Sequence, residues 1–546
     1  MKSSLLSVPA EQEDLKLLIF TKQGQPPDWY PLNRTMGIVQ RDGFKLTIVS
    51  YIGLILGYVN KVLLFPNFLD TEQVGLANIM INISVIYAQF SALGLSGITL
   101  RFFPFFRDKE KEHHGFLFWA SLLMTLGFLF TTLCFIAFKP WVVLHYSKDS
   151  KLLVDYYYYI IPLGFSMVFF GLYDGYLRSL LKTVVPSFIN EVFLRLLITL
   201  SISLYALKLV SFPQFVMIYV GVNCSVAVAL LVYTAFLRQL FLKPLFSPRI
   251  RKFSKHMFGF GLFSILGSAG NALIANVDAL MIAALMGGQF INGTKVGGMY
   301  FVGIYTTVFF FTTVMLIPYR SILKITSPLV AQFWKERDMK GMEKLYKQVT
   351  AVCLVIGTLV FLGIWADFDD IFSFMPKQFS SGKYVFLFLS LGRLFDMATG
   401  LNGVITITSK KYKYDLFFTA FLVLFTIGLN YLFIKVYGLG MNGAAIATMI
   451  TMIAYNVLRL LFVNHFFGIQ PFEKSNFWVI LLGLACFALN VFLPFMQNVL
   501  VDMVVRSVLL GFCFMGPILF FRIAPDVNDF IIKFLKSAGI RWKFLE

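Results

Sequence analysis

The chain is a series of apolar runs separated by short polar connections. Each run is roughly 18–25 residues long, the length that an α-helix needs to cross the hydrocarbon core of a bilayer. The pattern therefore predicts an all-α, polytopic membrane protein with fourteen spans. Their predicted limits are 46–66, 75–100, 116–138, 155–177, 187–208, 213–237, 259–286, 299–318, 348–366, 384–408, 416–435, 443–463, 477–495 and 504–521.

The connections between the runs alternate in charge. Connections after even-numbered spans, together with both termini, hold most of the 47 lysines and arginines, and those after odd-numbered spans hold few. Since these residues concentrate on the cytoplasmic side of membrane proteins, both termini are predicted to be cytoplasmic. The net charge of +19 then lies on that face. Because many short loops share this charge, it favours anionic lipid head groups as partners over nucleic acid.

Composition narrows the class of protein further. A hydrophobic content of 58% and a mean hydropathy of +0.77 exclude a soluble globular protein. The five cysteines all fall within spans and form no CxxC pair, and the histidines show no metal-ligand spacing, so neither a disulfide framework nor a metal site is predicted.

No motif of a catalytic site stands in a suitable context, and we expect that the protein is not an enzyme. The chain has no Walker A, HExxH or GxSxG motif in such a place. One acidic run, at residues 367–370, resembles the acidic outer loops of membrane glycosyltransferases. Because its loop is short and has no partner domain, an ordinary solvated loop is the preferred interpretation.

The spans are predicted to form two repeated halves. Val74-Gly75 in span two and Val302-Gly303 in span eight share one sequence offset with a second matched pair, Gly175 with Lys182 and Gly403 with Lys410. Parallel repeats are typical of transporters, with the substrate site at the interface between the halves. The predicted segments are an N-terminal arm (1–44), a six-helix bundle (45–237), a basic linker (238–258), a second six-helix bundle (259–463), two added spans (464–521) and a tail (522–546).

Charged residues inside the spans are the candidate site. A charge near the bilayer centre costs roughly 2.5–3.5 kcal/mol on insertion scales, so each one needs a structural or functional reason. The candidates for a substrate cavity are Lys61, Arg195, Arg393 and Asp278, with Glu191 and Asp396 as supporting partners one helical turn from Arg195 and Arg393.

Two interpretations of these charges stay open at this stage. In the first, Arg195 with Glu191 and Arg393 with Asp396 are internal pairs, Asp278 pairs with a cation, and Lys61 extends to the head groups. In the second, some of them line a water-filled cavity, where the cations meet an anionic substrate group such as a phosphate.

Four stretches resemble the polysaccharide exporters of a superfamily that also contains drug/sodium antiporters and bacterial lipid II flippases. One includes an Arg-Phe-Phe-Pro sequence, and another contains the intramembrane Asp278. Their order and spacing fit this branch, and the resemblance covers residues 36–521. The stretches are 36–69, 72–106, 186–197 and 276–311.

The resemblance implies two six-helix bundles in a V shape that move an undecaprenyl-pyrophosphate-linked oligosaccharide from the inner to the outer leaflet. It implies a bacterial inner-membrane protein without a cofactor, with a polysaccharide polymerase and glycosyltransferases as expected partners. By position, Asp278 and Arg195 match residues typical of the family, whereas Lys61, Arg393 and Asp396 do not. Protons and sodium ions both stay open as coupling ions. The alternatives are a cation-coupled multidrug antiporter of the same superfamily and a membrane polysaccharide polymerase or glycosyltransferase.

Overall fold

The computed structural model describes residues 45–46, 48–146, 150–180, 182–246, 248–291, 293–493, 496–525 and 527–528. The predicted N-terminal arm 1–44 and the end of the predicted tail, residues 529–546, lie outside them. The described part is helical, which confirms the predicted fold class. It has thirteen helices that are long and apolar enough to cross a membrane, and a bent pair that makes a fourteenth span.

The spans follow one another with short connections, and their order matches the prediction. We number them one to fourteen. Their limits are Ile48–Phe68, Thr71–Ser91, Glu112–Leu144, Tyr157–Ser179, Val184–Ala206, Phe212–Phe236, His256–Leu285, Gly298–Glu336, Met339–Ala366, Lys377–Thr399 with Leu401–Thr408, Tyr414–Val436, Gly440–Phe467, Lys474–Phe492 and Val499–Phe520. We call the face with the connections after even-numbered spans the basic face, and the other the opposite face.

Span two is shorter than the predicted segment 75–100. Its helix ends at Ser91, and a separate short helix, Leu95–Phe106, follows a tight turn. The turn needs a left-handed backbone at Gly94 (φ 71°). A Cβ atom there would overlap the carbonyl oxygen of Gly261 at the start of span seven, so only glycine allows this close approach.

Spans eight and ten also depart from the prediction. Span eight was expected to end at 318, but its helix continues to Glu336, because Tyr319 and Val330 are buried in a hydrophobic cluster with residues of spans nine and ten. Span ten bends by 49° at Gly400. The bend frees two carbonyl groups of the helix, and hydroxyl groups of span nine donate to them: Thr350 to Ala398 and Tyr346 to Thr399.

Smaller elements complete the described fold. The helix of span seven begins at Pro248, inside the segment predicted as a linker. Spans seven and eight are joined by an antiparallel hairpin of two short strands, β1 (Gln289–Ile291) and β2 (Thr294–Val296). Short helices precede span four at Lys151–Asp155 and follow span nine at Phe368–Ser373.

Spans two and eight cross at the interface between the halves. The sequence pattern predicts that they are equivalent in a repeat, and the two matched glycines, Gly75 and Gly303, meet at the crossing. A Cβ atom at Gly75 would overlap the carbonyl oxygen of Met299, and one at Gly303 that of Thr71. The two backbones are therefore in direct contact, which places spans one to six (the first half) against spans seven to twelve (the second half).

Spans thirteen and fourteen pack on span nine and are fixed there by a buried ionic network. Asp502 and Arg506, one turn apart on span fourteen, are 1% and 2% exposed and are paired at 2.7 Å. Ser507 donates to Asp367 at 2.6 Å, which joins span fourteen to the connection after span nine. The acidic run at 367–370 thus contacts span fourteen through Asp367. Within the described residues, no group of three His, Cys, Asp or Glu side chains could hold a metal ion.

This network makes stability depend on pH. Burial, together with the neighbouring Asp502 carboxylate, raises the pKa of Asp370 to about 6. The folded protein therefore binds a proton that the unfolded chain releases, and stability falls as pH rises from about 4 through 6. Between pH 5 and 7 the unfolding midpoint in detergent should fall about 2 °C further in the unmodified protein than in Asp370→Asn. Asp369→Asn, which removes an exposed carboxylate paired with Lys383, should behave as the unmodified protein does. Equal shifts in all three proteins would contradict this assignment.

Candidate functional site

A polar cavity of about 180 Å³ lies at the interface between the halves, and we call it the seam cavity. Spans one, two, seven and eight supply its lining. The polar members of the lining are Lys61, Asn78, Asn82, Asn276, Asp278, Tyr305, Thr306 and Thr313. Two charges that the sequence singled out, Lys61 and Asp278, are thus brought together in one cavity.

Lys61 lies in a widened, π-helical turn of span one, Val59–Leu64. Its ammonium group donates to Asn78 Oδ1 of span two at 3.1 Å. The side chain is exposed although it stands about two-thirds of the way along a membrane-spanning helix. Because Lys61 lines the seam cavity, its charged end lies at the polar space between the halves. Turns of π-helix in membrane and soluble helices are frequently functional.

Asp278 of span seven is held from three other spans of the second half. Its carboxylate accepts hydrogen bonds from Tyr305 (2.6 Å), Asn430 (2.9 Å) and Thr448 (2.7 Å). The residue is 6% exposed. Hydrogen bonds to a charged group contribute about 1.5–3 kcal/mol each, so three of them offset much of the cost of burying this carboxylate. Asn430 Oδ1 is also buried, with no hydrogen-bond partner within the described residues.

Arg393 stands directly behind the seam cavity. Its guanidinium lies 5.6 Å from the ring centre of Phe309, a lining residue of the cavity. Its Nε has no hydrogen-bond partner among the described residues. Asp396 instead accepts from Asn456 at 3.0 Å, so the internal pair considered in the sequence is not a direct contact in the described part. Arg393 still attracts Asp396 and Asp278 electrostatically.

Arg195 and Glu191 form a separate ion pair outside the seam cavity. They are one turn apart on span five and joined at 2.6 Å. Arg195 also donates to the carbonyl oxygen of Gly53 on span one. Gly53 and Gly57 leave the space into which these two side chains fit, because a Cβ at either position would overlap them. The pair therefore joins spans one and five.

Several uncharged residues of the site were missed in the sequence. Asn78 and Asn82 are one turn apart on span two, and their spacing was a usable signal, since two asparagines on one face of a membrane helix are expensive. Asn430 and Thr448 carried no such pattern. Arg459 of span twelve was also not among the candidates; it is 6% exposed and paired with Asp415.

The seam cavity is closed toward the opposite face. The crossing of spans two and eight lies between the cavity and that face. Beyond the crossing, Glu72 accepts from the backbone of Gly297 at 2.8 Å, at the start of span eight. Gln378 donates to Thr71 at 3.1 Å, and Asn67 to the carbonyl of Phe374 at 3.0 Å. These contacts all join the first half to the second, so opening this face requires that they break together.

Known proteins share both sequence features and fold with the chain. Residues 39–334 match the family model described as polysaccharide biosynthesis protein. No curated protein sequence matches the chain. The structure of the lipid II flippase MurJ in its inward closed conformation is similar, with 16% identity, a TM-score of 0.68, and coverage of 88% of this chain and 99% of that one. An inward-facing multidrug resistance transporter of the MATE family, in the MOP superfamily, has 17% identity, a TM-score of 0.56, and coverage of 77% and 94%. At such identities the likeness shows the fold alone.

Proposed function

The chain belongs to the polysaccharide biosynthesis protein family, and on this premise we propose that it moves a lipid-linked oligosaccharide across a membrane by alternating access. The observation that supports this most is the seam cavity, where Lys61 and several amides meet between the two halves, and where the Asp278 carboxylate is already held by three hydrogen bonds. A phosphate or pyrophosphate group accepts hydrogen bonds from such groups and is attracted by the lysine. The substrate class is an undecaprenyl-pyrophosphate-linked oligosaccharide, as the family resemblance implies.

The size of the cavity fits a closed intermediate of the transport cycle. About 180 Å³ holds a phosphate-sized group, whereas sites for larger ligands occupy roughly 300–1,000 Å³. An oligosaccharide therefore requires that the halves separate. We expect the halves to rock apart at the opposite face while the bundles stay intact.

The orientation proposed is that of a multi-pass protein of the bacterial inner membrane. The basic face then is cytoplasmic, and so are both termini. Loading occurs from the inner leaflet, and release at the opposite, outer face. Anionic lipids at the basic face, a polysaccharide polymerase and glycosyltransferases are the proposed partners.

A cation gradient is the proposed energy source, and Asp278 is its candidate site. The carboxylate lies between spans seven, eight, eleven and twelve, beside the Asn430 oxygen that has no hydrogen-bond partner among the described residues. A proton on Asp278, or a sodium ion bound by these oxygens, would alter the contacts among four helices at once. Both ions fit this arrangement. The proposed transport needs no further cofactor.

A second candidate function is that of a cation-coupled drug antiporter, which the MATE-like fold and the buried Asp278 favour. The distinguishing feature is Lys61, because a cation in the cavity repels the lipophilic cations that such antiporters expel. Purified protein in liposomes can decide between the two substrates.

The experiment measures transbilayer movement of a fluorescent polyprenyl-pyrophosphate oligosaccharide and uptake of a cationic dye in the same liposomes. We expect ion-gradient-dependent movement of the lipid and no dye transport. In cells, deletion of the gene should remove a surface polysaccharide and leave sensitivity to cationic dyes nearly unchanged. Dye transport without lipid movement would establish the antiporter and contradict our proposal.

A further inference from the structure

An apolar groove of about 670 Å³ opens between the first half and span seven of the second half. Spans two, three, four and seven form it, and we call it the lateral groove. Phe130, Phe138 and Trp141 of span three are 67%, 56% and 48% exposed along its edge. Between Phe130 and Val142 this span rises about 18 Å, so the groove runs along the membrane normal through about half of the bilayer. Its lining residues are Ile83, Ile86, Tyr87, Phe90, Phe130, Thr131, Cys134, Phe135, Phe138, Trp141, Val142, Leu153, Tyr157, Leu273 and Leu280.

The tyrosine hydroxyl groups of the groove wall are used within the wall itself. Tyr157 donates to the carbonyl oxygen of Phe135 at 2.7 Å, and Tyr87 is hydrogen-bonded to Thr132. The rings of Phe135 and Tyr157 are stacked with centroids 4.2 Å apart. The wall thus presents carbon to an occupant, and its aromatic rings are fixed in place. Such a surface fits a hydrocarbon chain and offers nothing to a charged or sugar group.

The lateral groove and the seam cavity share a wall, made of spans two and seven. On span two, Asn78 and Asn82 face the seam cavity, whereas Ile83 and Ile86 face the groove. On span seven, Asn276 lines the cavity, and Leu273 and Leu280 line the groove. On span seven the same turns therefore contact a polar space on one side and an apolar space on the other, and on span two the groove residues directly follow the cavity residues. The two spaces are adjacent and fit opposite halves of an amphiphile.

We propose that the lateral groove binds the polyprenyl chain of the carrier lipid while its phosphate occupies the seam cavity, the lipid passing between spans two and seven. This rests on the proposed function and adds a site for the lipid tail. Seven of the lining residues are aromatic, and these rings give a wide, stiff slot. A methyl-branched polyprenyl chain fills such a slot better than the thinner acyl chain of a bulk phospholipid, and its double bonds leave it less conformational freedom to lose.

The test uses two photoreactive lipids in liposomes with the full-length protein: a polyprenyl phosphate with a diazirine on its chain, and a phosphatidylglycerol with a diazirine on an acyl chain. The prenyl probe should label the segment 130–142 at least about fivefold more than the phospholipid probe does. Ile86→Trp, which fills the groove, should reduce that labelling by about fivefold. Leu133→Trp is the matched control, because Leu133 is on the same helix and 68% exposed but does not line the groove.

Three results would overturn the inference: equal labelling by both lipids, labelling that Ile86→Trp leaves unchanged, or equal loss with Leu133→Trp. Leu273→Trp fills the groove from span seven and replaces Ile86→Trp if that variant is not monodisperse in detergent. Transport is measured in parallel, which separates the two proposals. Movement of the oligosaccharide lipid without prenyl labelling contradicts the groove and leaves the function standing. Prenyl labelling without transport supports the groove and contradicts the function.

Discussion

Replacing Lys61 with methionine is expected to lower transport of the lipid-linked oligosaccharide by at least about 100-fold, which corresponds to roughly 2.7 kcal/mol of lost interaction. The ammonium group is the one cation that lines the seam cavity within the described residues. Methionine keeps the length and apolar stem of the side chain, so spans one and two should remain packed. Loss of the ammonium group leaves the phosphate group without a cationic partner in a poorly hydrated space, where the attraction between opposite charges is strongest.

The measurement is the initial rate of lipid movement in liposomes, normalised to the amount of folded protein. Lys61→Arg retains the charge and should recover part of the rate, because the guanidinium also binds phosphate but is larger than the ammonium group. Lys377→Met, at an exposed position of the opposite face, is the matched control and should transport normally. If Lys61→Met transports at the normal rate, the lysine is not a substrate ligand.

The sequence predicted the spans well because a membrane allows few solutions. An apolar run of sufficient length in lipid has to be a helix, so each of the fourteen predicted runs has a helical counterpart. Where the backbone departs from a straight helix, the cause is a contact with another span. Gly94 turns because span seven approaches it, and the carbonyls freed at Gly400 are bonded by hydroxyls from span nine. The sequence of one span does not show which other spans it will contact.

The same limit explains what the sequence predicted about the site. The cost of burying charge made Lys61 and Asp278 visible as candidates, and the structure brings them into one cavity. The identical argument selected Arg195, which the structure holds against Glu191 and span one. The energetic cost of burying a charge is the same for a residue that lines the cavity and for one in a structural ion pair. Only the packing of the helices distinguishes the two. The lateral groove could not be predicted from the sequence, because its apolar residues have the composition of any lipid-facing surface.

Replacing Gly303 with leucine is expected to abolish transport by holding the halves apart at the opposite face. A Cβ at this position would overlap the carbonyl oxygen of Thr71, and the backbone nitrogen of Gly75 would lie 3.2 Å away. Neither neighbour is a flexible side chain, so the helices themselves have to move. A transporter that works by alternating access must close each face in turn, and a face that cannot close stops the cycle.

Labelling of Asn82→Cys, in a background without the five native cysteines, reports the state of the opposite face. Asn82 lines the seam cavity, so an impermeant thiol reagent added to intact cells should react poorly with it in the closed protein. Gly303→Leu should raise that reactivity by about tenfold, because the crossing that shields the cavity is opened. Labelling from outside also requires that the opposite face is external, as the charge pattern predicts.

Gly363→Leu provides the matched control for this substitution. Gly363 is also in a membrane span, but a Cβ there meets nothing within 4 Å, so both labelling and transport should stay normal. Gly303→Ala adds only the Cβ and should change both in the same direction by less, which distinguishes a displaced crossing from general misfolding. Normal transport by Gly303→Leu, or continued protection of the cysteine, would show that closure does not depend on contact between Gly75 and Gly303. The contact between the two matched glycines would then have no part in closing the opposite face.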